Sequence, residues 1–251
     1  MNDSTPHQSI EEIESKEQST QELLAELAKH GATMEEVAQL REPVARTPAE
    51  AVRALKVGNS RFYSGQTQRP EHSPLERRAQ IIGQTPFAVV LGCSDSRVPT
   101  EYVFDQGAGN IFTIRVAGNV VSPTTLGSIE YALLHLKPHV VVIMGHEGCG
   151  AVQAALTMTD EQVRAEPEGI QSLLERISPA VRRIPAIRDS KARMREAVIA
   201  SVRQQVHDLK QNSVVKEALE KQSIAVLGAY YELSSGAVDF LETEEDLRLD
   251  L

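Results

Sequence analysis

The sequence predicts an α/β fold: a mainly parallel central sheet flanked by helices, with an N-terminal helical arm. Two observations carry this. The runs 87–92 and 140–144 are continuously apolar, short and closed by glycine turns, as strands buried on both faces are. Between and after such runs lie segments with apolar residues at helical spacing, and an alternation of strand and helix argues for a parallel sheet with helices on both sides.

The elements follow in chain order. Residues 1–20 are rich in Ser, Gln, Glu and Thr and read as disordered. Leu23, Leu24 and Leu27 form a short helical stripe over 20–29, ended by Gly31, and 35–40 reads as a second short helix. Pro43 and Pro48 then break the chain. Residues 1–46 are taken as an acidic extension, a solvated tail in the plain reading and a docking segment for another protein in the sharper one. The main domain, 47–241, opens with Thr47-Pro48-Ala49-Glu50: an N-cap, a proline at the first helical position and a glutamate three after the cap. Ala51, Val52, Leu55 and Phe62 continue that helix, and a second helix is expected over 73–82 with Pro74 in its first turn.

Strands are expected at 87–92, 110–116, 140–144 and 223–228. Helices are expected at 124–136, with Leu126, Ile129, Leu133 and Leu136 inward, and at 151–158. Residues 160–222 read as mostly helical, interrupted near Pro179 and Pro185. Residues 230–241 read as a hairpin or strand ending at Ser235-Gly236, and 242–251 as an acidic tail.

The 251 residues suffice for one α/β domain with a sizeable core. No apolar run approaches the ~20 residues of a membrane span, and the polar start lacks the basic and apolar regions of a signal peptide. A cytoplasmic home, with both cysteines reduced, is the expectation. The net charge of −9 belongs to the ends: eleven acids against four bases in 1–50, five against one in 241–251. Such ends repel phosphate, so nucleic acid is not an expected partner.

The two cysteines sit in two glycine-flanked runs: Gly92-Cys93-Ser94-Asp95-Ser96-Arg97 and Gly145-His146-Glu147-Gly148-Cys149-Gly150. Reactive groups collect at the carboxyl ends of parallel strands. If those two strands are neighbours, Cys93, Asp95, His146 and Cys149 converge. Two thiolates and an imidazole are three of the four ligands zinc takes, and thiolate ligation disfavours magnesium and calcium. A disulfide between the cysteines is the rival pairing; the reducing compartment and the intervening histidine weigh against it. The fourth position depends on Arg97. Paired with Asp95 it leaves the site open; with Asp95 on the metal the site is closed and structural. Gly107-Ala108-Gly109-Asn110 has no third glycine in place and precedes a strand, so it is set aside as a nucleotide loop.

Taken together, these runs resemble the β-class carbonic anhydrases, over about 47–241. The markers are Leu55-Lys56-Val57-Gly58-Asn59-Ser60-Arg61-Phe62, Cys93-Ser94-Asp95-Ser96-Arg97, Ile129-Glu130-Tyr131-Ala132, Gly145-His146 through Cys149-Gly150, and Gly228-Ala229-Tyr230-Tyr231. The resemblance implies zinc on Cys93, His146 and Cys149, and Asp95 and Arg97 as the catalytic dyad. It implies a pocket for CO2 and bicarbonate built across a dimer, with Gln84 in the place of the plant-like glutamine. Phe112, Ala117 and Tyr131 would be its walls and the Gly150 amide its donor. A homodimer or higher homo-oligomer is implied, within the cytoplasm or a carboxysome-like compartment. The run Arg115-Val116-Ala117-Gly118-Asn119 departs from the usual Arg-Asn-x-Ala-Asn, and Glu147 is an acidic choice that tunes the metal or faces solvent. Two rival functions are hydrolysis of carbon disulfide or carbonyl sulfide on the same scaffold, and a non-enzymatic zinc-stabilised scaffold recruited to a partner or shell.

Overall fold

A computed structural model describes residues 43–68, 77, 80, 81 and 83–241. The helices expected at 20–29 and 35–40, most of that at 73–82 and the tail 242–251 lie outside them. The chain divides into two units, Met1–Pro43 with His72–Gln84, and Val44–Glu71 with Thr85–Leu251. Few residues of the first are described; the architecture below is that of the second.

Helix α1 (Pro48–Tyr63) begins where its cap signals place it. The Thr47 hydroxyl accepts from the Glu50 amide, while the Glu50 carboxylate reaches back to the Arg46 amide at 2.7 Å. Strand β1 (Ala88–Gly92) is buried throughout and lies between β2 (Ile111–Arg115) and β3 (Val140–His146), parallel to both. Beyond β3 come β4 (Ala225–Tyr231), parallel, and β5 (Val238–Phe240), antiparallel, giving the order β2-β1-β3-β4-β5. The 230–241 segment is thus the turn and return strand of a hairpin, and β4 runs to Tyr231, past the expected end at 228.

Alternate residues of the central strands feed two cores. Val89, Leu91, Val141 and Ile143 face one side; Ala88, Val90, Val140 and Val142 face the other, with α1 residues Ala51, Val52 and Leu55. The first side is covered by α4 (Gly150–Thr157), α6 (Glu168–Val181) and α7 (Ser190–Lys210), the last capped by Asp189. Short helices α2 (Thr100–Val103), α3 (Pro123–Tyr131), α5 (Asp160–Ala165) and α8 (Ser213–Glu220) complete the unit.

Two expectations are corrected. The helix expected to run from 124 to 136 is α only to Tyr131; Ala132–Leu136 widens into a π-turn. Pro138 disfavours a helical residue before it, and Lys137 leaves through a left-handed φ of 54°. Pro179 does not interrupt its helix. It stands third from the end of α6, at the cost of the one bond its N–H would have made to the Glu175 carbonyl, and the break falls at 182–189, around Pro185.

Candidate metal centre

The register brings the two cysteine runs together. Gly92 of β1 pairs with Met144 of β3, so Cys93 and His146 leave neighbouring strands at one carboxyl edge. The turn after His146 needs a left-handed residue, and Gly148 supplies it at φ 65°. Gly145 serves a different need: a Cβ there would lie 2.6 Å from Val198 and 2.7 Å from Val202, so only glycine lets α7 close over the strand. Cys149 then caps α4, and the Ala151 and Val152 amides at that helix start point at its sulfur.

One ligand atom each from Cys93, His146 and Cys149 lies within 4.8 Å of the others, and all three residues are buried. Both cysteines are free and buried. His146 Nδ1 donates to the Glu147 carbonyl at 2.9 Å, so the proton sits there and the Nε2 lone pair is free. That Nε2 is buried without a hydrogen-bond partner, an arrangement costing about 1–3 kcal/mol unless something accepts the lone pair.

The sulfurs are poised for a cation. Cys93 is held down to about 4, chiefly by a hydrogen bond from the Cys149 thiol; the backbone amides of Asp95 and Gly118 add to this. Cys149 is pushed up by the Cys93 thiolate it faces and by burial. Two sulfurs sharing one proton beside an unpartnered imidazole nitrogen form a soft S2N donor set, which suits zinc.

Asp95 adjoins this cluster, with both carboxylate oxygens held by Arg97. Oδ1 accepts from the Arg97 amide and Nε, both at 2.9 Å, and Oδ2 accepts from Arg97 Nη2 at 2.7 Å. This clamp holds the Asp95 carboxyl well below the usual carboxylate range. Oδ2 stands 3.9 Å from His146 Nε2.

The remaining site candidates are more scattered. The Phe112 and Tyr131 rings stand 6.3 Å apart, and Tyr131 is half exposed. Ala117 opens a 3-10 turn whose next residue, Gly118, aims its amide at the Cys93 sulfur. Gly150 is exposed at the start of α4. Gln84 is exposed and belongs to the first unit. Glu147 neither reaches the cluster nor simply faces solvent: its Oε2 accepts from the Ser234 amide at 3.1 Å, tying the metal turn to the β4–β5 hairpin. Sequence reasoning missed Arg115, whose Nε donates to the Cys93 carbonyl at 3.0 Å and whose Nη2 donates to the Asp95 carbonyl. A charged residue closing the apolar run before Val116 was the signal available.

A parallel α/β sheet with a Cys-His-Cys cluster at its carboxyl edge, and a carboxylate clamped beside it, defines a class of enzyme site able to hold a metal ion. Residues 88–238 match the carbonic anhydrase family. Carbonic anhydrase 2 of Mycobacterium tuberculosis is 39% identical over 191 residues, 75% of this chain and 90% of that protein. The Mycolicibacterium smegmatis carbonic anhydrase is 39% identical over 195 residues, 76% of this chain and 92% of its own. Among solved structures, a tetrameric β-carbonic anhydrase of Sordaria macrospora superposes with a TM-score of 0.62 at 25% identity, covering 74% of this chain and 94% of that one. The Aspergillus fumigatus enzyme CafA gives 0.60 at 27% identity, covering 78% and 95%. The chain belongs to the β-carbonic anhydrase family of lyases. Among the described residues no helix is long and apolar enough to cross a membrane.

Proposed function

We propose that the protein catalyses the zinc-dependent, reversible hydration of carbon dioxide to bicarbonate and a proton. One observation carries this beyond family membership: the buried Cys93-His146-Cys149 cluster stands beside an Asp95 that Arg97 keeps off it. The three residues would hold zinc, which supplies the Lewis acidity that makes water a nucleophile near neutral pH. Two thiolates donate more charge than imidazoles would, so activity rises toward alkaline pH.

Asp95 Oδ2 accepts a hydrogen bond from the attacking O–H and aims its lone pair at the carbon. Arg97 keeps that carboxylate ionised and in place. The Gly150 amide, at the positive end of α4, meets the negative charge that develops on a substrate oxygen. Phe112, Ala117 and Tyr131 form pocket walls that limit competing water, and Gln84 holds bicarbonate in the manner of the plant-like type. The pocket is completed in a homodimer or higher homo-oligomer. The protein works in the cytoplasm or a carboxysome-like compartment, with residues 1–46 as the contact to a protein partner.

The test is stopped-flow CO2 hydration from neutral to alkaline pH, with metal content measured on the same sample. Fast hydration rising with pH, at about one zinc per chain, supports the proposal. Full zinc with no hydration at any pH, or turnover of carbon disulfide or carbonyl sulfide alone, overturns it.

A further inference from the structure

Arg115 ends β2 opposite Gly92, the last residue of β1. Its side chain crosses the end of β1 and takes two carbonyls of the turn beyond, that of Cys93 from Nε and that of Asp95 from Nη2. These carbonyls are two residues apart, so one planar fork fixes the backbone of Ser94 and Asp95 between them. Arg97 grips the Asp95 carboxylate independently. Asp95 is therefore held by two guanidinium groups, one on its main chain and one on its side chain. The sheet does not need Arg115 to stay paired here, because the Val116 amide bonds the Gly92 carbonyl at 3.1 Å.

We propose that Arg115 is a positioning residue for the Asp95–Arg97 dyad: by pinning the Cys93 and Asp95 carbonyls it fixes the turn in which Asp95 stays on Arg97 and off the metal. The inference rests on reading the cluster as a zinc site. Without the fork, the Cys93 carbonyl loses its side-chain donor and the Asp95 carbonyl keeps only the Val98 amide at 3.1 Å, and Oδ2 has only a short distance to cover, being 3.9 Å from His146 Nε2. A lysine keeps the charge and the stem but has no planar fork to bridge both carbonyls. The site would then close on its own carboxylate, with the metal retained.

The experiment uses the full chain loaded with cobalt(II), whose visible spectrum reports an exogenous ligand, and titrates azide into wild type, Arg115→Lys and Arg115→Ala. Zinc content and steady-state hydration are measured in parallel. Both variants are expected to keep their metal while azide affinity falls by about tenfold or more, and kcat falls more than KM changes. The same Arg115→Lys change in an Asp95→Asn background is expected to cost nothing further, because the neutral amide does not compete for the metal. Azide affinity within about twofold of wild type in both variants, or an equal loss with and without the Asp95 carboxylate, overturns the inference. If Arg115→Ala does not fold, Arg115→Lys decides alone. A wild type that takes up no cobalt overturns the metal reading and this inference with it; a loaded wild type beside an indifferent Arg115→Lys overturns this inference only.

Discussion

Arg97 holds the two oxygens of Asp95 by different means: Oδ1 by the backbone amide and Nε, Oδ2 by Nη2. The distinction matters because Oδ2 is the oxygen that faces His146 Nε2. Deleting the Arg97 side chain leaves the amide on Oδ1 and frees the oxygen nearest the metal position.

Arg97→Ala should therefore convert an open site into a closed one rather than empty it. Zinc content is expected to stay near that of wild type, while hydration falls by about a hundredfold or more, the scale of losing a preorganised electrostatic contact. Stopped-flow rates with metal analysis on the same sample check this. Near-normal turnover with full zinc would show that Asp95 needs no restraint.

The metal-free protein should titrate unlike two free thiols. Cys93, depressed to about 4 from an ordinary 9.0, is an acid whose folded pKa lies below its unfolded one. Its contribution to stability is fully present above 9.0 and is lost as pH falls toward 4. Cys149 is raised, so it works in the opposite sense and removes stability as pH climbs past its ordinary value. Denaturant unfolding of the metal-free chain should show stability rising through that window and turning over at its alkaline end. Ultraviolet thiolate absorbance should fall with a midpoint near 4 for one sulfur. Both sulfurs ionising together at their ordinary value would contradict the shared-proton arrangement.

The strands that carry the centre were legible because burial on both faces leaves an unbroken apolar run, as in Val140-Val141-Val142-Ile143. The Cys93-His146-Cys149 cluster was legible because glycines bracket its residues where such runs end. What was not legible depends on register or on neighbours distant in sequence. Arg115 reaches the Cys93 turn only because β2 pairs with β1 so that Arg115 lies opposite Gly92, and nothing local announces that register. The Gly118 amide on the Cys93 sulfur is a main-chain contact with no side chain to mark it. Pro179 misled because a proline breaks a helix from its interior, and its distance from the helix end is set by packing rather than by composition.

Glu147 should prove structural. Its carboxylate holds the Ser234 amide, while its carbonyl, which any residue provides, holds His146 Nδ1. Glu147→Gln keeps an oxygen acceptor and is expected to cost less than about 1 kcal/mol, and Glu147→Ala about 1 kcal/mol, the net worth of a partly exposed hydrogen bond. In both, kcat/KM for CO2 should stay within about twofold of wild type. A large shift in the pH profile of either variant would instead make Glu147 a tuner of the metal.

Gln84→Ala bears on the plant-like subtype. The expected result is a raised KM for bicarbonate in the dehydration direction with zinc content unchanged. The loss should be about 1.5–2 kcal/mol, or roughly ten- to thirtyfold, the scale of one hydrogen bond to a charged group. Unchanged kinetics in both directions would remove Gln84 from the site and leave the Gly150 amide as the nearer candidate for handling the anion.

Asn59 should be among the most costly positions to truncate, although it lies outside the metal cluster. Its Nδ2 donates to the Val103 carbonyl at 3.0 Å and to the Gly236 carbonyl at 2.9 Å, and its Oδ1 accepts from the Val238 amide at 2.9 Å. One buried amide thereby joins α1, α2 and the β4–β5 hairpin. Asn59→Ala strands two carbonyls and an N–H in a region where water has little access, and each orphaned group costs about 1–3 kcal/mol, with the sum reduced by relaxation. A loss of about 3–5 kcal/mol is expected by denaturant unfolding of the metal-loaded protein. Asn59→Asp isolates the donor half: it keeps the acceptor for Val238 but turns two donated bonds into repulsion between oxygens, so it should be no better tolerated than alanine. If Asn59→Ala unfolds at the wild-type denaturant midpoint, the hairpin is held by its apolar contacts alone and the amide is incidental.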